Sequence, residues 1–320
     1  MQQEATKLAK QQTKELITKL GPLIGLFLLV IVITLLNPSF LSINNLFNVL
    51  RQVSISALIA FGMTFVILTG GIDLSVGSTL ALTGAVAASL LASGMDPIIA
   101  MGIALILGLI LGAINGVIIT KGKVAPFIAT LATMTIYRGL TLVYTEGRPI
   151  SGLGDSMAFQ LFGKGYFFGI PVPVVTMILT FAVLYFILHK TTFGRRVYAV
   201  GGNEEASRLS GISPDRVKIA VYAITGLLAA MSALILTSRL NSAQPTAGES
   251  YELDAIAAVV LGGTSLTGGK GWIFGTLVGA LIIGVLNNGM NLIGVSSFFQ
   301  QVVKGIVILL AVLIDRKKTA

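Results

Sequence analysis

The sequence has no cysteine and a single histidine, His189. Disulfides, thiolate metal sites and cysteine nucleophiles are thereby excluded, and one imidazole cannot build a histidine metal cluster or a catalytic triad. Charge is scarce as well: 11% of the 320 residues are Asp, Glu, Lys or Arg, against 54% hydrophobic. A soluble domain carries about 25% charged residues, so most of this chain is expected to lie in lipid. A nucleotide site is also missing. The stretch 262–271, GGTSLTGGKG, places Thr264 where a phosphate-binding loop needs its first glycine and Gly271 where it needs a hydroxyl residue.

What is present is a series of long apolar blocks. Backbone amides in hydrocarbon must be satisfied internally, and strands of a membrane barrel would alternate with period two, which these blocks do not. The expected class is therefore an all-α integral membrane protein of about ten transmembrane helices, some short or broken by glycine. The blocks fall at 22–36, 54–69, 75–92, 97–120, 125–143, 172–188, 219–237, 255–262, 273–286 and 297–314. Residues 1–320 then form a single transmembrane domain, with 1–20 as a cytoplasmic tail or interfacial helix and 189–218 as a polar loop. The residues Asn37-Pro38-Ser39-Phe40 carry no small-x-small cleavage pattern, so the first apolar run reads as a retained span and not as a signal peptide.

Basic residues are retained on the cytoplasmic side of short loops. With both termini cytoplasmic, ten spans put every Lys and Arg there except Arg51, Arg138, Arg148, Lys164, Arg239 and Lys304. The net charge of +9 is thereby assigned to helix ends facing anionic lipid, and nucleic acid is not expected as a partner.

Thirty-seven glycines point to close helix packing, above all Gly108-x3-Gly112-x3-Gly116 and Gly275-x3-Gly279, with Gly284 and Gly289 beyond. Two apolar blocks break at similar sequences, Val66-Ile67-Leu68-Thr69-Gly70-Gly71 and Val259-Val260-Leu261-Gly262-Gly263. The likeness hints at an internal duplication of open symmetry. Polar groups at membrane depth default to functional candidates. Asp73, Ser75, Thr79, Asn115, Asn287, Asn288 and Asn291 are candidates for a translocation path, and Arg51, Arg138, Arg239, Glu249 and Glu252 for the outer mouth. Asp73 has a second reading, as the cap of the helix beginning near Ser75.

The polar loop carries the sharpest signal. Within Gly201-Gly202-Asn203-Glu204-Glu205-Ala206-Ser207-Arg208-Leu209-Ser210-Gly211-Ile212, Glu205-Ala206-Ser207 is followed by Gly211 six residues after the glutamate, the spacing by which permeases of ATP-binding-cassette importers dock on their ATPase. Asn203 would cap a short helix with Ala206, Leu209 and Ile212 as an apolar stripe for a soluble partner. An interfacial helix lying on lipid is the other reading. The Ile-x-Leu-Pro that completes the fuller motif is absent: ten residues past Gly211 stands Val221-Tyr222-Ala223-Ile224.

The blocks 42–52 (SINNLFNVLRQ), 71–89 (GIDLSVGSTLALTGAVAAS), 201–212 (GGNEEASRLSGI), 242–271 (SAQPTAGESYELDAIAAVVLGGTSLTGGKG) and 286–297 (LNNGMNLIGVSS) resemble the permeases of bacterial ribose ATP-binding-cassette import systems, over about residues 22 to 315. The resemblance implies a multi-pass protein of the bacterial inner membrane that imports ribose or a related sugar by alternating access and is not itself an enzyme. It implies a homodimer, cytoplasmic ATP-binding subunits that hold the ATP and magnesium, and an extracytoplasmic sugar-binding protein. Residues 201–212 would be the ATPase-coupling segment, and Arg51, Arg138, Arg239, Glu249 and Glu252 would face the binding protein. No cofactor is expected on this chain. The competing class is a gradient-driven secondary sugar transporter with Asp73 as its coupling group.

Overall fold

The computed structural model describes residues 21–154 and 156–319, the last six for their backbone alone. The expected N-terminal tail at 1–20 lies outside the described residues. The chain is helical almost throughout: α1 (Gly21–Leu36), α2 (Ile43–Leu68), α3 (Val76–Ala92), α4 (Pro97–Lys121), α5 (Pro126–Thr145), α6 (Met157–Lys164), α7 (Val172–Lys190), α8 (Thr192–Gly202), α9 (Glu204–Leu209), α10 (Pro214–Leu240), α11 (Tyr251–Leu261), α12 (Ile273–Leu292) and α13 (Ser297–Thr319). Two-residue strands add β1 (Ile150–Ser151), β2 (Tyr166–Phe167), β3 (Ile170–Pro171) and β4 (Ser242–Ala243), with β1 paired to β4 and β2 to β3, both antiparallel.

Among the described residues, six helices are long and apolar enough to cross a membrane: α2, α4, α5, α7, α10 and α12. The apolar segments α1, α3 and Ser297–Leu313 of α13 are shorter. A helix lies in every block expected from the sequence, but several run further than their apolar cores. α2 begins at Ile43 and not near 54, because the polar residues Asn44, Asn45, Asn48, Arg51 and Gln52 prolong its first turns, and at 26 residues it spans about 39 Å. Four of the long helices, α4, α5, α7 and α10, start with proline at their first or second position, where the missing N–H costs nothing.

The core is built around α2. Its residues from Ala57 to Leu68 are all buried, and α7, α10, α11 and α12 pack around it. The largest helix pairing is α4 on α10, and its cause is the glycine ladder. A Cβ on Gly112 would lie 2.1 Å from the Tyr222 carbonyl oxygen, one on Gly108 2.5 Å from that of Gly226, and one on Gly226 2.1 Å from that of Gly108. The two backbones touch, which only glycine permits. Along α12, Gly275 meets Gly262, Gly279 meets Ala258, Gly284 meets Val53 and Gly289 meets Ile33, so one helix gathers α11, α2 and α1.

The two similar breaks end their helices in the same way. Gly70 (φ 76°) donates to Ile67 O and Gly71 to Val66 O; Gly263 (φ 86°) donates to Val260 O and Thr264 to Val259 O. Both are left-handed glycine caps that close the last turn and reverse the chain. The short sequence likeness thus has a local conformational cause.

Replacing Gly226 by Leu should force α4 and α10 apart and cost about 1–3 kcal/mol or more, seen as a lower midpoint of thermal unfolding in detergent. Gly102→Leu on the same α4, where a Cβ meets nothing within 4 Å, should leave the midpoint nearly unchanged.

Candidate functional site

The polar segment between α7 and α10 is folded. Asn203 accepts the Ala206 N–H at 2.8 Å and caps α9, while Gly211 (φ 81°) lets Gly211 and Ile212 donate to Arg208 O and Ser207 O and end it. Glu204 turns inward to Lys218 (2.6 Å) and lies 3.5 Å from Arg208. Glu205, Ala206 and Leu209 point outward, Leu209 being 84% exposed. Ile212 packs against the core, so the outward face of α9 is narrower than the spacing of its apolar residues suggested. A six-residue helix cannot hold itself together in water; its cap, its ion pair and the inward Ile212 hold it on the bundle.

The attachment of α8 to the bundle is backbone on backbone. A Cβ on Gly201 would lie 1.7 Å from the Leu68 carbonyl oxygen and 2.7 Å from the Gly269 nitrogen. Gly269 N–H donates to that same Leu68 carbonyl at 2.9 Å. The end of α8, the end of α2 and the 262–271 loop therefore meet at one carbonyl. Tyr198 of α8 fastens the same loop by donating to Gly271 O at 2.8 Å. Burial pushes its phenol up to about 12, so it remains a donor at any physiological pH.

Three residues beyond Thr69, which follows α2, lies a buried polar cluster. Asp73, 1% exposed, accepts from the Ser75 N–H (2.9 Å) and the Ser75 hydroxyl (2.7 Å) through one carboxylate oxygen. This is a turn closed by an aspartate just ahead of α3; the residue at the helix cap is Ser75. Asn115 of α4 donates to the Ser75 hydroxyl at 2.7 Å, and the Tyr137 hydroxyl of α5 lies 3.4 Å from the Asn115 carbonyl oxygen. Tyr222 of α10 donates to Ile72 O at 3.3 Å, with room for its ring because a Cβ on Gly71 would lie 2.5 Å from its hydroxyl. Thr79, one turn into α3, is 2% exposed and passes its carbonyl to the Thr83 hydroxyl. The cluster ties α3, α4, α5 and α10 together at the end of the bundle that carries α8 and α9.

The other three path candidates lie elsewhere. Asn288 exchanges two amide hydrogen bonds with Asn45 of α2, at 2.9 and 3.0 Å. Asn291 accepts from Gln300 at 2.8 Å. Asn287 stands beside Asp254, which is paired to Lys304 at 2.9 Å. The seven candidates thus form two separate groups. Asn45, Tyr137, Tyr222, Asp254 and Lys304 complete them, and of these Lys304 had a sequence signal of its own, a lysine inside an apolar helical run.

Of the charged candidates for the outer mouth, Arg51 donates to the Tyr166 hydroxyl and stacks on its ring, 4.9 Å from the centroid. Arg239 lies near Arg51 and Tyr251. Arg138 donates to the carbonyls of Pro245 (2.6 Å) and Ala247 (2.9 Å), next to Glu249 and Glu252. It fixes the segment that leads into α11. That segment approaches α3 so closely that a Cβ on Gly77 would lie 2.1 Å from Gly248 O and 2.7 Å from a Glu252 carboxylate oxygen.

Replacing Asn115, fully buried, by Leu removes the donor to Ser75 and strands polar atoms, at a cost of about 1–3 kcal/mol. The midpoint of thermal unfolding in detergent should fall accordingly, while Asn291→Leu, at an exposed position, should leave it within about 0.5 kcal/mol of the parent.

Comparison with known proteins supplies the lineage. Residues 45–312 match the family described as branched-chain amino acid transport system, permease component. The ribose import permease of Bacillus subtilis is 67% identical over 302 residues, 94% of each chain. That of Escherichia coli K12 is 55% identical over 308 residues, 96% of each. The L-arabinose transport system permease of the same bacterium is 39% identical over 298 residues, 93% of this chain and 90% of the relative. No solved structure matches the chain. With its apolar helix bundle and this match over most of its length, the chain is a multi-pass membrane protein that belongs to the family of branched-chain amino acid transport system permease components.

Proposed function

We propose that this chain is the membrane subunit of an ATP-binding-cassette importer that brings ribose, or a closely related sugar, into the cytoplasm. The observation that carries the reading is the 67% identity with a ribose import permease along 94% of both chains; the family is described by amino acid transport, but the relatives above are named for sugars. In this reading ten helices span the membrane, both termini are cytoplasmic, and 1–320 form one permease domain. Two copies enclose the path, ATP and magnesium sit on separate cytoplasmic subunits, and a binding protein delivers sugar at the face holding Arg51, Arg239 and Glu249.

The α8–α9 unit is the coupling element. Leu209 and Glu205 present an exposed apolar and acidic face to the ATP-binding subunit. The other side of the unit meets the Leu68 carbonyl, four residues before Ile72 and the Asp73 cluster. A displacement of α9 caused by ATP is passed along the chain to Gly201 of α8 and, through its backbone contact with the Leu68 carbonyl, to the turn that seats α3. The glycine contacts of α4 with α10 provide surfaces on which helices slide between inward-open and outward-open states. A nucleotide moves this equilibrium only by binding the two states with different affinity.

The test is labelled ribose uptake into proteoliposomes holding the chain, its ATP-binding subunits and the binding protein. Uptake should require ATP and both partners and persist when ion gradients are collapsed. Leu209→Asp, an exposed change, should reduce ATP-driven uptake at least about tenfold with an unaltered unfolding midpoint, the effect of losing an interface anchor. Uptake by the chain alone that collapses with the gradient and is lost in Asp73→Asn would instead establish a secondary carrier.

A further inference from the structure

A groove of about 330 Å3 opens between the start of α11 and the first half of α13, a volume at the lower end of small-molecule sites, roughly 300–1,000 Å3. Its α13 wall follows helical spacing: Ser297, Gln300, Gln301, Lys304, Gly305 and Ile308 share one face. The large exposed residues on the rest of that helix, Phe298, Phe299, Val302, Ile306, Leu309, Leu310 and Leu313, are apolar and suited to lipid or a neighbouring helix. A polar strip beside an apolar surface at membrane depth is stable where it lines water or is covered by a polar ligand. Lys304 lies seven residues, about 10 Å, along the helix from Ser297.

The opposite wall brings Glu249, Ser250, Leu253 and Asp254. Asp254 and Lys304 neutralise each other, with side chains 9% and 23% exposed. Their bond explains how α11 and α13 are held together, but not the groups around it. Gln301 and Glu249 are exposed and make no side-chain hydrogen bond or ion pair among the described residues. The carbonyl oxygen of Asn287, whose side chain stands beside Asp254, is buried with no partner among them.

The balance of these groups defines a ligand class. An anion would need an unpaired cation, and the groove's lysine is already matched. A cation would need oxygen ligands crowded at one point, whereas here amides and hydroxyls are spread along both walls with apolar Leu253 and Ile308 between them. Amides and hydroxyls that both donate and accept, with carboxylates that accept, next to apolar patches, suit a small neutral polyol with hydroxyl edges and C–H faces.

We propose that the groove lined by Glu249, Ser250, Asp254, Gln300, Gln301 and Lys304 is a binding site for a neutral pentose on its way through the permease. The proposal rests on the sugar-permease reading above and goes further by placing a substrate contact on α11 and α13. The site is shallow and half open, which suits a path whose occupant must leave as readily as it enters.

This chain has no cysteine, so an introduced thiol is the only one it carries, and labelling is read on this chain after it is separated from its partners. In the complete transporter in proteoliposomes, with ATP-binding subunits and binding protein, Gln301→Cys is treated with a water-soluble maleimide with and without saturating ribose. Ribose should slow alkylation about tenfold, while Leu309→Cys on the apolar side should react slowly in both conditions. Gln301→Ala, which removes a side chain with no bond to lose, should lower ribose uptake about tenfold at subsaturating sugar, the loss of one ligand hydrogen bond. ATP hydrolysis stimulated by the loaded binding protein should stay within about twofold of the parent. A thiol at 301 that ribose does not protect, or that never reacts because lipid or a second copy covers it, overturns the groove whatever the kinetics. Parent vesicles that take up no ribose with ATP overturn the functional reading and the groove with it, an outcome that needs no variant.

Discussion

A helix that ends inside a protein in a membrane leaves its last carbonyls without water, and the structure is organised around one such end, the Leu68 carbonyl of α2. Residues 57 to 68 of that helix are all buried, so nothing but protein can satisfy the carbonyl. Gly269 N–H does so directly, and Gly201 of α8 covers it at a distance that no side chain would allow. The need to satisfy one backbone group thus fixes where the 262–271 loop and the polar α8–α9 unit attach. It also fixes where the chain is free to turn toward Asp73.

The same requirement explains why polar residues appear where they do. After the cap at Gly70, the backbone from Gly71 to Ser75 has no helix of its own. Asp73 closes a turn on Ser75, Asn115 completes the hydroxyl, and Tyr222 takes the Ile72 carbonyl. A buried polar network that is well satisfied specifies a single arrangement of its helices, here of α3, α4, α5 and α10. At the far end the Asn45 and Asn288 pair does comparable work between α2 and α12. Alongside these polar locks, the glycine contacts bring helix backbones together without a side chain between them.

The class of the protein, the places of its apolar helices, the breaks at Gly70 and Gly263 and the short helix capped by Asn203 were legible in the sequence, whereas α6 and α8, which lie outside the apolar blocks, were not. Each depends on local chemistry: apolar runs, positive φ at glycine, and an asparagine side chain reaching the N–H of a residue three positions on. Helix ends were less legible where polar residues continue a helix past its apolar core, as in the first turns of α2. The grouping of the path candidates was not legible at all. Asn115 and Asn287 look alike in sequence, each an amide in an apolar helix, but one joins the Asp73 cluster and the other stands beside Asp254 and Lys304. Ile212 has the spacing of an outward stripe and turns inward, because the turn at Gly211 redirects the chain.

The sequence alone therefore determined that this chain is an apolar helical bundle with one folded polar projection and glycine at its closest contacts, since hydropathy and backbone freedom are properties of residues. Only the tertiary structure decided which carbonyl Gly201 covers, which amides share a cluster and which two helices enclose the groove at Asp254 and Lys304. Those outcomes depend on residues up to 243 positions apart, whose proximity follows from how whole helices pack and not from any property either residue carries by itself.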